Sequence, residues 1–454
     1  MVAKGETYNP LDPLRQAAAR AGGVFLGLTS DRQPRFSRDE RAVLLLGPPR
    51  SGKSSAVIIP AILSHTGPVV STSTKPDVYT ATRLARVMEG DVWTFDPTGH
   101  AGSSAHELRW SPVQSARSWD GAQLMARALC ANIGAGTQDR SHWALRAQAL
   151  LAPMLHAAAV HERDMGEVVG WVLAHDLDAP GVLLEDERCS QLAFSTLVGV
   201  LQTEARERSS IFSSAADALS AYGSEHALAA ARDVNFDPDV FVTSNQTVYI
   251  TAPADAQAGA APIVCGLLSA IRRATYRAHA SGRLRRRVLF ALDEVANIAP
   301  LDELPQIASE GGGQGLLLMA ALQDLSQARH RWGVQADGFL TLFGTKLLLP
   351  GIADTKTLET VSAMLGEYDR EVTSYSDGYS KGRTDPVFSR GTRQRSMSVS
   401  AQRTRVMAPG EVAQIPAGRA LHLDGVAREF IDLAPAHTAE PFRTITQVLG
   451  YTAP

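Results

Sequence analysis

The chain has 454 residues, of which 44% are hydrophobic and 20% charged, so it can bury a substantial core and is not a disordered polymer. That length predicts two or three structural units. The net charge of −3 excludes a global positive field as the basis of any nucleic-acid binding, which must come from local patches.

The cysteines and the hydropathy pattern bear on the cellular compartment. Cys130, Cys189 and Cys265 lie far apart and form no Cys-x-x-Cys pair, which favours a reducing compartment over a structural zinc site. The sequence has no window of about 18 uninterrupted apolar residues and no signal-peptide pattern at its N-terminus. We therefore expect a cytoplasmic protein.

The chain begins with a segment that differs in composition from the rest. Residues 1–40 are rich in proline, glycine and scattered charges, with one predicted helix at 14–21, and we interpret them as a lead-in segment. An α/β pattern follows in residues 41–104, the first part of a predicted nucleotide-binding domain. Its strands, which alternate with helices, are predicted at 43–46, 68–71 and 91–95. This alternation predicts a parallel sheet with helices on both faces.

A glycine-containing run follows the first of these strands and precedes a helix. It reads Gly47-Pro48-Pro49-Arg50-Ser51-Gly52-Lys53-Ser54-Ser55. Such a turn is typical of a phosphate-binding loop, because glycine lets successive N–H groups converge on phosphate oxygens at the start of a helix. We expect Lys53 to reach the β- and γ-phosphates of ATP and the Ser54 hydroxyl to bind Mg²⁺. The alternative is a turn without a ligand.

The middle of the chain has a different periodicity. Residues 105–235 carry long segments rich in alanine and leucine with almost no β-branched alternation, which predicts an all-α insertion domain. The α/β pattern resumes in residues 236–454, the second part of the nucleotide-binding domain. Strands are predicted there at 240–242 and 247–251, followed by a helix at 260–280.

Two acidic residues end the next apolar run, which spans 287–292. Asp293 and Glu294 are therefore expected at the carboxyl end of a buried parallel strand, where open α/β sheets bind ligands. There Asp293 would hold the Mg²⁺ that Ser54 binds, and Glu294 would polarise the attacking water. The alternative is an acidic helix N-terminus without catalytic function. Together with the glycine-rich loop, the pair favours the catalytic interpretation.

A further strand is predicted at 315–321, and Gln323 follows its end. A side-chain amide beside the carboxylate strand can sense a γ-phosphate or orient water, whereas a purely structural amide would satisfy loop backbone. Later in the chain, residues 373–400 are rich in serine, glycine and arginine and are predicted to form a mobile loop. Residues 418–423 and 426–433 are predicted to form a hairpin.

Two basic segments are candidates for contact with DNA phosphates. The first carries seven arginines and no acid: Arg272, Arg273, Arg277, Arg283, Arg285, Arg286 and Arg287. The second, in the 373–405 segment, contains Lys381, Arg383, Arg390, Arg393, Arg395, Arg403 and Arg405. Such runs add salt-dependent affinity that is independent of base sequence, although a solvated charged face gives the same pattern.

The ordered set of motifs resembles the TraG/TraD family of type IV coupling proteins, the DNA-pumping ATPases of bacterial conjugation. The resemblance spans about residues 44–433. Besides the loop and the acidic pair, it rests on Ser73-Thr74-Lys75, Phe95-Asp96-Pro97, Arg109-Trp110-Ser111-Pro112, Trp143, Leu322-Gln323-Asp324-Leu325-Ser326-Gln327 and Pro409-Gly410-Glu411. It implies a RecA-like P-loop NTPase with an inserted all-α domain, assembled as a homo-hexameric ring.

The resemblance also assigns roles and partners. The Walker A residues correspond to Lys53 and Ser54, the Walker B pair to Asp293 and Glu294, and the sensor glutamine to Gln323. It implies ATP and Mg²⁺ as cofactors, single-stranded DNA as substrate, and relaxase or relaxosome proteins and type IV secretion channel components as partners. The alternatives are a docking protein that recruits substrates with weak ATPase activity, or another P-loop pump for protein secretion or DNA partition.

Two departures from the family pattern stand out. Members generally begin with transmembrane helices, and none is visible here, so we expect either a missing anchor or an unanchored variant that associates with the inner face of the membrane through partners. Many members place an arginine for the neighbouring subunit's nucleotide before the sensor strand, where this chain has residues 310–315 without arginine. Arg329 and Arg331 are the candidates to replace it.

Overall fold

The computed structural model describes residues 9–99, 106–131, 133, 140–380 and 392–448. In the first described stretch, strands and helices alternate as predicted from β3 onward. Its elements are α1 (Asp12–Ala21), β1 (Phe25–Leu28), β2 (Pro34–Phe36), β3 (Val43–Leu46), α2 (Ile59–Ser64), β4 (Val69–Ser73), α3 (Asp77–Val87) and β5 (Val92–Phe95). A π-helical turn at Lys53–Ile58 leads directly into α2.

The next part of the chain is helical. Its helices are α4 (Pro112–Ser115), α5 (Trp119–Cys130), α6 (Arg140–Val160), α7 (Met165–Leu173), α8 (Asp178–Leu184), α9 (Gln191–Leu201), α10 (Ala205–Ala218), α11 (Glu225–Ala230) and α12 (Pro238–Phe241), with a 3₁₀ turn at Ser220–Gly223. Serine or aspartate side chains cap several of them, since Ser118, Asp164 and Ser190 each accept a hydrogen bond from the first turn.

The remaining residues return to the α/β pattern. Their elements are β6 (Thr247–Thr251), α13 (Gln257–Ala280), β7 (Val288–Leu292), α14 (Val295–Ile298), α15 (Leu304–Glu310), β8 (Leu316–Leu322), α16 (Leu325–Trp332), α17 (Phe339–Leu342), β9 (Thr345–Leu348), α18 (Thr355–Leu365), β10 (Glu367–Ser380), β11 (Thr392–Arg405), α19 (Pro409–Ala413), β12 (Arg419–Asp424), β13 (Ala427–Asp432) and α20 (Phe442–Val448). Short 3₁₀ turns lie at Gly312–Gln314 and Gly333–Gly338.

One large sheet organises the molecule. Its strand order is β2-β1-β13-β12-β9-β3-β8-β7-β4-β6-β5. The strands from β9 to β5 run parallel, whereas β12, β13, β1 and β2 pair antiparallel at one side. The predicted α/β class with a mostly parallel sheet is therefore confirmed. Because parallel strands are covered on both faces, β3 and β7 are buried along their whole length.

Two buried cores lie on opposite faces of this sheet. On one face, sheet residues such as Phe290 and Leu318 share a continuous cluster with Met154 and Leu155 of the helical part. On the other face, Ile62 of α2 packs with Leu317 and its neighbours. The helices between β5 and β6 therefore share a core with the sheet, and their delimitation as a separate domain stays a prediction.

The N-terminal segment takes part in the sheet, which the sequence did not indicate. The predicted helix is present as α1, but β1 and β2 also form, and β1 pairs with β13 near the other end of the chain. These strands are only four and three residues long. In the described part of the chain, the strand β2 pairs only with β1, and β1 joins the sheet through a partner about 400 residues away, so local periodicity carried no signal for them.

The strand predicted at 240–242 is wrong, because the chain forms the helical turn α12 there. The Asp237 side chain accepts a hydrogen bond from the Asp239 N–H at 2.8 Å, and Pro238 occupies the first turn. An aspartate cap followed by proline is a strong helix-start signal. It outweighs the β propensity of three residues.

The segment predicted as a mobile loop is instead mostly a long antiparallel hairpin. Strands β10 and β11 pair over fourteen positions, from Glu367 opposite Arg405 to Ser380 opposite Thr392. Two of its predicted basic residues pair with acids across the strands, Arg395 with Asp377 at 3.0 Å and Arg403 with Glu367 at 3.4 Å. Lys381, Arg383 and Arg390 lie outside the described residues.

No helix in the described ranges is long and apolar enough to cross a membrane.

The loop between α2 and β4 contains a histidine whose titration should affect stability. The His65 Nε2–H donates to the Arg287 carbonyl at 2.9 Å. Burial lowers the pKa of His65 to about 3, and the neighbouring Arg86 cation acts in the same direction. Below its ordinary pKa of 6.5 the unfolded chain binds a proton that the folded chain does not. Falling pH therefore destabilises the fold through this residue.

We expect the free energy of unfolding to fall by about 1–2 kcal/mol more in the wild type than in the His65→Gln variant between pH 7 and pH 5. Glutamine keeps an N–H donor for the carbonyl but does not titrate. Urea denaturation followed by circular dichroism at both pH values measures the difference. Equal losses in the two proteins would show that His65 is not the titrating group.

Candidate nucleotide-binding site

The glycine-rich loop lies at the carboxyl end of β3, in the middle of the parallel sheet. The Gly47 N–H donates to the Leu322 carbonyl at 3.2 Å, which ties the start of the loop to the end of β8. A Cβ at Gly47 would lie 2.6 Å from Ser51 Oγ and 2.9 Å from Leu349 Cβ, so this position requires glycine. Gly52 has a left-handed φ of 96°, which turns the chain into the following helix.

The side chain of Lys53 points back into this loop. It is buried, with 6% of its surface exposed, and its Nζ donates to the Gly47 carbonyl at 2.5 Å and the Pro48 carbonyl at 3.1 Å. Burial lowers the pKa of Lys53, while the negative charges of Asp293 and Glu294 oppose that shift. The Lys53 ammonium group is thus held against the main-chain carbonyls of the glycine-rich loop.

The next residue joins the loop to the acidic strand. The Ser54 hydroxyl donates to Asp293 Oδ2 at 2.5 Å, although 239 positions separate them in sequence. Asp293 is buried, and burial raises its pKa while the Ser54 hydrogen bond and Lys53 oppose the rise. Its Oδ1 accepts from the Glu294 N–H at 3.0 Å. A hydroxyl and a carboxylate in contact are the hard oxygen ligands that Mg²⁺ prefers.

Glu294 follows Asp293 in an unusual backbone conformation. Its φ of 49° and ψ of 44° lie in the left-handed region, which a residue with a side chain adopts at a cost. Its half-buried carboxylate accepts a hydrogen bond from Asn297 Nδ2 at 3.4 Å. This backbone turn separates the directions of two consecutive carboxylates, so that Asp293 contacts Ser54 while Glu294 does not.

Gln323 lies directly after β8, the strand between the loop strand and the acidic strand. In the sheet register Leu46 pairs with Leu322, and Leu292 pairs with Ala320. The structure therefore places Gln323 at the same edge as Gly47 and Asp293. Its main-chain N–H donates to Gln327 Oε1 at 3.0 Å.

Two supporting residues were not singled out from the sequence. The Thr72 hydroxyl donates to the main-chain carbonyl of Asp293 at 2.9 Å, and it is fully buried at the end of β4. Gln327 holds the main chain of Gln323, as described above. Thr72 was visible as a polar residue near a strand end, but only the strand order shows that it supports the Asp293 backbone, whereas Gln327 lies four residues after the main chain that it holds.

The other predicted loop residues surround this centre. Pro49 and Arg50 are exposed, and Arg50 has a left-handed φ of 66°. Ser51 Oγ is buried and has no hydrogen-bond partner in the described part of the chain. The Ser55 carbonyl accepts from the Ala436 N–H at 2.8 Å and so anchors the helix start to the C-terminal segment.

The two arginines suggested for a neighbouring subunit's nucleotide are both bound within their own chain. Arg329 pairs with Asp354 at 3.0 Å. Arg331 is about nine-tenths buried, donates to the Pro300 carbonyl at 2.9 Å and pairs with Asp302 at 3.6 Å. Both guanidinium groups are therefore engaged within their own chain, and a trans-acting role for either arginine stays a prediction.

Comparison with known proteins identifies the family. The family model for type IV secretory system conjugative DNA transfer matches residues 3–423. The chain belongs to this family. No curated protein sequence matches the chain.

Solved structures agree with this family in fold. The unbound bacterial conjugative coupling protein TrwB superposes with a TM-score of 0.68 at 20% identity, covering 93% of this chain and 90% of that one. TrwB in complex with ADP and Mg²⁺ gives 0.69 at 20% identity, covering 93% and 92%. VirB4 of Thermoanaerobacter pseudethanolicus is more distant, with 0.52 at 14% identity over 93% and 98%. At these identities the similarity shows the fold alone, which this chain shares with the conjugative coupling protein TrwB.

Proposed function

We propose that this member of the conjugative DNA-transfer family is an ATP-driven DNA translocase. It would couple a relaxase-bound DNA strand to a type IV secretion channel. The observation that carries the proposal is the contact between Ser54 and Asp293 beside the buried Lys53. This contact brings together two distant segments of the candidate nucleotide site, in a chain whose family acts in conjugative DNA transfer.

The residues present fit ATP and Mg²⁺. Ser51 Oγ lacks a partner in the described ranges, and the glycine-rich backbone leaves N–H groups at a helix start for phosphate oxygens. Ser54 and Asp293 would hold Mg²⁺, which would neutralise negative charge on the phosphates. TrwB has been solved with ADP and Mg²⁺ and with the ATP analogue ADPNP, at 20% and 21% identity to this chain.

Each residue of the site then has a role in phosphoryl transfer. Lys53 would leave its loop carbonyls to bind the β- and γ-phosphates, and its charge would stabilise the transition state. Glu294 would accept a proton from the attacking water. Gln323 directly follows β8, which lies between β3 and β7 in the sheet, and would orient that water or sense the γ-phosphate.

We further propose that the active form is a homo-hexameric ring that contacts relaxase and channel components and associates with the inner face of the membrane. The family membership supports this assembly. Arg329 and Arg331, the candidates for the arginine that such a neighbour would supply, both have acidic partners in their own chain.

The test is ATP hydrolysis with and without single-stranded DNA. We expect DNA to stimulate phosphate release by the wild type. The Lys53→Ala variant should hydrolyse ATP at least about 100-fold more slowly than the DNA-stimulated wild type, because the phosphate-binding cation is gone. Lys356→Ala, which removes an exposed lysine from α18, serves as the matched control and should behave as wild type.

Three outcomes would contradict the proposal. Undiminished ATP hydrolysis by the Lys53→Ala variant would show that the glycine-rich loop takes no part in the reaction. Nucleotide binding without DNA-stimulated turnover, with retained binding of a relaxase, would indicate a docking protein. Absence of DNA binding even at low salt, together with stimulation by a protein substrate, would indicate a pump for proteins.

A further inference from the structure

A basic cleft lies at the edge of the sheet opposite the nucleotide site. It has a volume of about 370 Å³ and lies between the end of α1, the loop before β4 and the loop before β7. Its lining includes Arg20, His65 and the run Arg285, Arg286 and Arg287. Because β4 and β7 are parallel neighbours, the cleft is at their amino ends, whereas Asp293 follows the carboxyl end of β7.

The walls of this cleft are held by specific contacts. The Arg287 guanidinium donates to the Gly22 carbonyl at 2.9 Å and contacts Asp39, and it pairs with Glu40 at 3.2 Å. Gly22 ends α1 with a left-handed φ of 66°. These bonds join the segment before the first sheet strands to the loop before β7. The cleft is therefore built by folding and is not a loose surface run.

The charge in the cleft is not balanced. Four arginines line it, and Asp39 is the only acid among its 13 lining residues. Asp39 is bound to Arg287, which leaves Arg20, Arg285 and Arg286 exposed and without an acidic partner in the described ranges. In a chain of net charge −3, three unpaired guanidinium groups around one concavity repel one another unless an anion binds there.

This arrangement also corrects the basic segment predicted from the sequence. Of its seven arginines, Arg272 pairs with Glu303 at 3.5 Å, Arg277 pairs with Asp239 at 2.7 Å, and Arg287 pairs with Asp39 and Glu40. The segment is therefore not one uniform patch. Folding leaves Arg285 and Arg286 unpaired and adds Arg20 from a distant part of the chain.

We propose that this cleft binds the phosphodiester backbone of nucleic acid, independently of base sequence. The proposal rests on the proposed function and names a surface through which the translocase holds DNA. Guanidinium groups match phosphate oxygens in geometry as well as charge. Among the described residues that line the cleft there is no Phe, Tyr or Trp, so bases lack the large aromatic stacking platform that single-strand binding sites use. No exposed large apolar side chain lines it either, whereas interfacial membrane binding uses such groups.

The test compares two triple variants that lose the same charge. The cleft variant is Arg20→Gln, Arg285→Gln and Arg286→Gln. The control variant is Arg83→Gln, Arg127→Gln and Arg206→Gln, three exposed arginines on other surfaces. Binding of labelled oligo-deoxythymidine and of a labelled duplex is measured by fluorescence anisotropy over a range of salt concentrations.

For the cleft variant we expect at least about a tenfold loss of affinity at low salt. The slope of log affinity against log salt for the single strand should fall by about 2, since each lost phosphate contact contributes about 0.7. The control variant should keep the wild-type slope.

The outcomes separate this proposal from the proposed function. If the wild type binds DNA and the cleft variant binds as the control does, the cleft assignment is wrong and the translocase proposal stands. If the wild type binds no nucleic acid at low salt, both fail. If the cleft variant loses only binding to vesicles of anionic phospholipid, the surface recognises membrane and the proposal is overturned.

Discussion

The Glu294→Gln variant is expected to hydrolyse ATP at least about 100-fold more slowly than the wild type while binding ATP with nearly unchanged affinity. Glutamine has the same size and keeps the hydrogen-bonding geometry toward Asn297, but it cannot accept a proton from water. The Lys53–Ser54–Asp293 contacts that would hold the nucleotide do not involve this side chain. Single-turnover hydrolysis and equilibrium binding of a fluorescent ATP analogue measure the two quantities separately.

The control for this variant is Glu359→Gln, which neutralises an exposed glutamate on α18. It should match the wild type in both measurements. A Glu294→Gln variant that retains more than about a tenth of the wild-type rate would show that another group accepts the proton. In that case the left-handed backbone at Glu294 would need a structural explanation, since it would not serve to separate the two carboxylates for catalysis.

The Arg86→Met variant is expected to lose about 4 kcal/mol or more of folding free energy. Arg86 is completely buried on α3. Its guanidinium donates to the carbonyls of His65, Gly67 and Asn245 at 2.6, 2.7 and 3.1 Å, and to Thr247 Oγ1 at 2.8 Å. Methionine fills the space but leaves these acceptors without a donor, and each buried unsatisfied group costs about 1–3 kcal/mol.

The matched control lies on the same helix. Arg83 is exposed and stacks over the Tyr79 ring at 5.4 Å, so Arg83→Met should cost no more than about 1 kcal/mol. Urea denaturation of the two variants, compared at constant pH, measures the difference in midpoint. If the free energy of unfolding of Arg86→Met lies within about 1 kcal/mol of that of Arg83→Met, then Arg86 does not act as a structural link between the loops before β4 and β6.

Arg86 also illustrates what local sequence patterns do not reveal. In the sequence it is one of two arginines in the segment that forms α3, with no signal that distinguishes it from Arg83. Its importance arises because the loops before β4 and β6 converge on it. The same is true of Thr72, which supports the Asp293 backbone only because β4 and β7 are neighbours in the sheet.

The sequence by itself indicated the main residues of the candidate nucleotide-binding site. The turn from β3 through Gly47, Gly52 and Lys53 is local, and so is the acidic end of β7. Each signal lies within about ten residues and reflects backbone geometry and helix-start chemistry that need no distant partner. Their shared edge follows because parallel strands present their carboxyl ends on one side.

Only the tertiary structure decided which residues meet. It joined Ser54 to Asp293, added β1 and β2 to the sheet, and turned most of a predicted loop into the hairpin of β10 and β11. It also neutralised several arginines of the basic segment with acids such as Glu303 and Asp239, while leaving Arg285 and Arg286 unpaired beside Arg20. The physical reason is the same throughout. Strand pairing and ion pairing are made between segments tens to hundreds of residues apart, so their partners leave no trace in local periodicity.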